Sequence, residues 1–208
     1  MITTAHTLVL PPALGAGPTA PPISARLVVG NPCPGCQRRP RLSGVHGTVL
    51  HLLSTGWDPV EVDRAYSWWW GATSVYVRVA ARCLHTESTA HAVDIAVRAG
   101  LLIPLARQAG DRLPVTAAMQ ATGQLIAHGH SRAEIAEIRG VGPRAVSTAV
   151  RRLRESLDAG SDAEIVLALH ALALLDARHP CPCRPQADIA AETAPHRGST
   201  APSIQEAA

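Results

Sequence analysis

Neither lysine nor phenylalanine occurs among the 208 residues, and aromatic side chains make up only 3% of the chain. A core without Phe must be filled by Leu, Val, Ile and Ala, which favours small helical units. No stretch of about 18 apolar residues is present, so no membrane-spanning helix and no membrane partner is expected. Residues 1–25 lack a basic start and a compact apolar run ahead of a small-residue cleavage site. They do not read as a signal peptide, and the cytoplasm is the expected compartment. Five cysteines are too sparse for a disulfide scaffold in a chain of this length, and an odd number cannot all pair. The net charge is only +3, with no polybasic tail.

What is present is unevenly distributed. Residues 1–41 are rich in Pro, Gly, Ala and Thr, carry Arg26, Arg38, Arg39 and Arg41 without any acid, and show no apolar period. They read as disordered, as do residues 179–208. Between them, sliding the chain against itself by 73 residues aligns 42–102 with 115–175 without a gap. Identities fall at Leu52, Gly56, Glu61, Ala72, Ser74, Val77, Arg78, Leu84, Ser88, Ala90, Val93, Leu101 and Leu102. The expected organisation is therefore two helical units, 42–102 and 115–178, joined by a linker at 103–114.

The second unit is the clearer one. Leu125 and Ile126 lie on the inner face of a first helix that Gly129 ends, as a residue tolerant of left-handed backbone. Ser131 to Glu134 forms a capping box that starts a second helix, which stops near Gly140. Gly142-Pro143 opens a third helix, proline being favoured at the first helical position. Helix, short Gly-containing turn and helix make a helix-turn-helix. In the third helix Ala145, Val146, Ala149, Val150, Leu153 and Leu157 are expected to form the buried stripe. Arg144, Ser147, Thr148, Arg151, Arg152 and Arg154 face away from it, opposed only by Glu155. Such a face suits the major groove, where arginine pairs with guanine through two hydrogen bonds, although a solvated face of an ordinary helix has the same composition.

Ser161 to Glu164 is a second capping box, and ten of the eleven residues from Ile165 to Leu175 are apolar, His170 being the exception. A helix apolar all round must be covered on two sides, by the other repeat or by a second chain, so a homodimer through this helix is one expectation. In the first unit, Asp58 to Glu61 takes the place of Ser131 to Glu134 and Ser88 that of Ser161. Trp68-Trp69-Trp70 replaces Val141-Gly142-Pro143. Trp68 is expected in the core, and at least one of the three on the surface or against a partner. The third helix here, Ala72 to Leu84, carries Ser74, Arg78 and Arg82 but few other groove-facing donors.

The segment from Gly129 to Val146, with Leu157, Ser161 and Val166 in register, resembles the LuxR-type (GerE-like) helix-turn-helix domain. The first unit resembles it through Leu42, Leu52, Gly56, Glu61, Leu84, Ser88 and Val93. The resemblance covers about 120 residues, and it implies an all-α fold of two tandem four-helix units, each third helix in the major groove and the fourth often a dimer contact. Carried over by position, Arg144, Ala145, Ser147, Thr148 and Arg151 fall where the family contacts DNA, and Gly71, Ala72, Ser74, Val75 and Arg78 fall there in the first unit. Ala145 replaces the family's usual threonine, and serine replaces its usual lysine in both units. A remoter likeness, to region 4 of sigma factors, implies a contact with RNA polymerase. The expected function is sequence-specific binding of double-stranded DNA in transcription regulation. The alternative is an adaptor that contacts RNA polymerase or another protein and no longer reads DNA.

Cys33 and Cys36 precede the first unit, and Cys181 and Cys183 follow the second. Four thiolates can hold zinc tetrahedrally, though the C-x-C half is unusual spacing. Scattered free thiols and a Cys33–Cys36 redox pair are the alternatives. Cys83 is expected to be a small buried residue. Zinc aside, no cofactor is expected. No Gly-rich phosphate loop, His-Glu metal pair or nucleophile-base set is present, so no enzymatic activity is expected.

Overall fold

The Ser43 hydroxyl accepts the His46 N–H and starts the first helix, α1 (Gly44–Ser54). The same device recurs along the chain, because a side-chain oxygen satisfies one of the otherwise unpaired N–H groups of a first turn. In the computed structural model, which describes residues 27–33, 35–66, 71–104 and 114–175, it sets the start of six of the eight helices. Asp58 caps α2 (Pro59–Ala65), and α3 (Thr73–Cys83) follows without a side-chain cap. Ser88 caps α4 (Thr89–Arg98) and Thr116 caps α5 (Ala117–Ala127). Ser131 caps α6 (Arg132–Arg139), Gly142-Pro143 opens α7 (Pro143–Leu157) and Ser161 caps α8 (Asp162–Ala171). The described part of the chain is mostly helical, and no helix in it is long and apolar enough to cross a membrane.

The 73-residue shift seen in the sequence carries α1 onto α5 and α4 onto α8 with identical bounds. It also carries left-handed backbone onto left-handed backbone: Gly56 (φ +101°) onto Gly129 (φ +84°), His85 (φ +58°) onto Asp158 (φ +50°), and Gly100 (φ +70°) onto Ala173 (φ +53°). The third helices differ at their starts, since Gly142-Pro143 opens α7 three residues earlier than the corresponding start of α3. Trp68, Trp69 and Trp70 lie outside the described residues, and with them the expectations made for that turn.

The two halves share the larger of two hydrophobic clusters, in which the most extensive helix pairing joins α4 to α8, while Val49, Leu52, Val62 and Tyr66 form a smaller one within the first half. α1 packs on α8 as α5 packs on α4. The contact is reciprocal in detail. A Cβ on Gly56 would lie 3.2 Å from Glu164, and one on Gly129 3.1 Å from His91. His91 and Glu164 are themselves a 73-residue pair, so the contact i to j is repeated as j to i, which is the property of a two-fold relation. Ile165, Val166, Leu167, Ala168 and Leu169 of α8 are all buried inside the chain. Of the two covers expected for this helix, the structure supplies the other half of the same chain; these apolar residues are not exposed for a homodimer contact.

Residues 27–33 and 35–41, expected to be disordered, are a second departure. β1 (Leu27–Val29) and β2 (Arg41–Ser43) pair antiparallel, with Leu27 opposite Ser43 and Val29 opposite Arg41. The Asn31 N–H donates to the Ala99 carbonyl, while Leu42 and Cys33 are buried. A strand of three residues offers no period to recognise, so its order comes from docking on the end of α4.

Candidate nucleic-acid interface

α7 is set in place by three contacts. Its own stripe, Val146, Val150, Leu153 and Leu157, is buried against the second half's core. α6 holds its N-terminal end through the tight connection in which Gly140 adopts left-handed backbone (φ +62°). Asp162 ties its C-terminal end to the start of α8: Arg154 reaches this carboxylate at 3.1 Å and Arg132, from α6, reaches it at 2.7 Å. The capping box of α6 is complete. The Ser131 N–H donates to Glu134 at 2.6 Å and holds that carboxyl below its usual range. In the second box only the Ser161 half forms, because Glu164 accepts instead from the Gly160 N–H.

With the stripe buried, the opposite face of α7 is left to solvent. Arg144, Ser147, Thr148, Arg151 and Arg152 are all exposed. Arg144 and Arg152 make no ion pair with any described residue, and Arg151 pairs only with the exposed Glu155 one turn on, at 2.8 Å. An exposed pair of this kind contributes about 0.3–0.5 kcal/mol and is readily exchanged for another anion or acceptor. The two hydroxyls point back along the helix, Ser147 donating to the Pro143 carbonyl and Thr148 to the Arg144 carbonyl.

Three residues depart from their expected places, the first being Ala149, assigned to the buried stripe but only half-buried. Ala145, assigned to the buried stripe, is exposed, because the first turn of α7 projects beyond the helices that cover Val146. Arg154, assigned to the outward face, is half-buried and turned toward Asp162, with its Nε buried and without a partner. The cationic face is thus Arg144, Arg151 and Arg152, not four arginines.

No family model, no curated protein and no solved structure matches this chain.

On α3, the counterpart of α7 under the 73-residue shift, Ser74, Val75, Arg78 and Arg82 are exposed. Val75 stands where α7 has Thr148, so this face offers fewer donors. Cys83, expected to be buried, is exposed, since α3 turns Ala80, Ala81 and Leu84 inward instead. Cys33 is buried and Cys36 half-buried; Cys181 and Cys183 lie outside the described residues, as does any test of a four-cysteine zinc site. No cluster of three or more potential metal ligands occurs among the described residues.

Sequence reasoning missed a polar network at the α4–α8 contact. Asp94, fully buried, accepts from Arg98 Nε at 2.9 and 3.0 Å and from His170 Nε2 at 2.8 Å. Burial opposes ionisation of Asp94, but the hydrogen bond from His170 and the charge of Arg98 together outweigh it and hold the carboxyl below its ordinary value of 3.8. As an ionised carboxylate only accepts, His170 carries its proton on Nε2. Each residue was visible as a polar intruder in an apolar run. That they meet required the fold.

Proposed function

We propose that this chain is a sequence-specific DNA-binding transcription regulator made of two tandem LuxR-type helix-turn-helix units, with α7 as the helix that enters the major groove. The observation that carries this reading is the division of α7 into a buried aliphatic stripe and an exposed face bearing Arg144, Arg151 and Arg152 beside two hydroxyls. An arginine here that pairs with guanine O6 and N7 contributes base discrimination, while its neighbours neutralise phosphates. Arg151 sits centrally on that face and gives up only a weak surface pair to reach a base. Replacing Arg151 by Ala should weaken binding to the preferred duplex by about 1–3 kcal/mol and relax its specificity, whereas Arg78→Ala should cost little. Fluorescence anisotropy on a duplex obtained by selecting bound genomic fragments measures both. Equal losses would remove the assigned division of labour.

A second reading is favoured by one observation. Trp57, Val60 and Val75 are exposed apolar side chains of the first half, 40%, 60% and 46% accessible. They suit a protein partner such as RNA polymerase or another regulator. A groove reader loses affinity steeply as salt rises, because bound phosphates release counterions. A weak duplex affinity that is flat in salt would select the adaptor reading.

A further inference from the structure

The first half carries a cationic surface of its own, away from α7. The chain leaves β1, turns, and returns into β2 so that Arg38, Arg39 and Arg41 line one groove with Cys83 and His85 at the C-terminal end of α3. All five are exposed, no acid lines the groove, and Arg82 is exposed on the same last turn of α3. Arg39, Arg41 and Arg82 make no ion pair with any described residue. Three guanidinium groups on one short segment repel one another unless an anion lies between them, and their planar forks match phosphate oxygens.

Position adds a second argument. The reciprocal packing relates α3 to α7 by an approximate two-fold axis. Rotation about that axis conserves height along it, so the two helices lie at one level, as two heads on a duplex with a dyad require. We infer that the β1–β2 hairpin is a phosphate-binding wing that docks the first half on the backbone of the same duplex whose bases α7 reads, so that one chain covers both halves of one site. This inference rests on the DNA reading above. It assigns sequence-independent contacts to the half whose α3 is poor in donors.

The test uses the full-length chain and the selected duplex, with the double variant R39Q/R41Q. Its plot of log affinity against log salt should be shallower by about 2, one unit per lost phosphate contact, with base preference unchanged and the protected footprint shortened on one side only. Arg39→Lys with Arg41→Lys should restore the slope, which a folding defect would not allow. A wild-type chain that binds no duplex overturns the DNA reading and this inference together. A wild-type chain that binds, with R39Q/R41Q leaving slope and footprint intact, overturns the wing alone.

Discussion

Asp94 is a carboxylate with no exposed surface, held between Arg98 and His170. Removing one member of a buried charged set strands the others, so Asp94→Ala should lower stability by about 3–5 kcal/mol in a denaturant titration. Its folded value is depressed, so the unfolded chain binds the proton more tightly. The contribution of Asp94 is therefore complete above the ordinary value of 3.8 and drains away as pH falls below it toward the lower folded value. Asp94→Asn should flatten that acid limb of the stability profile; an unchanged limb would show that other carboxylates cause it. Residues whose conformation is set within one turn of chain, such as the caps Ser88, Ser131 and Ser161, were legible in the sequence. Cys83, Ala145 and Arg154 were not, because their exposure depends on what other helices leave uncovered.

Between helices, the two halves solve one packing problem in opposite ways. A Cβ on Gly123 of α5 would come within 2.4 Å of Leu169 of α8, so the small residue there makes room for the large one. The corresponding positions of the first half reverse the sizes, with Leu50 on α1 and Ala96 on α4, both fully buried. Gly123→Ala should overpack this contact by about 1–3 kcal/mol. Exchanging the pair, Gly123→Leu with Leu169→Ala, should recover most of the stability lost by Leu169→Ala alone, and thermal unfolding of the three variants checks this. The starts of α2, α4, α6, α7 and α8 were readable because capping residues are local, whereas the Ser43 and Thr116 caps of α1 and α5 were not read. The hairpin was not, for it has too few residues to show alternation and gains its order from the carbonyl of Ala99.

At the scale of the whole molecule, the larger hydrophobic cluster runs through both halves. A chain cut by an inserted protease site between residues 104 and 114 should therefore elute as a single species, held by α4 and α8. Separate elution of the fragments would mean that the linker, not packing, keeps the halves together. The repeat could be counted from the sequence, but its mode of pairing could not, since an all-apolar helix such as α8 does not name the surface that covers it.

The reciprocal contact also bears on how such a surface can change. In a homodimer each substitution appears twice, once on either side of the axis, and both copies must be tolerated. Covalent joining lifts that constraint. Asp94 and His170 occupy one side of the α4–α8 contact, while the equivalent positions across the axis hold Leu167 and Val97. No assembly of identical chains could keep a hydrogen-bonded polar pair on one side and an aliphatic pair on the other, so joining the halves in one polypeptide lets a single interface evolve two chemistries.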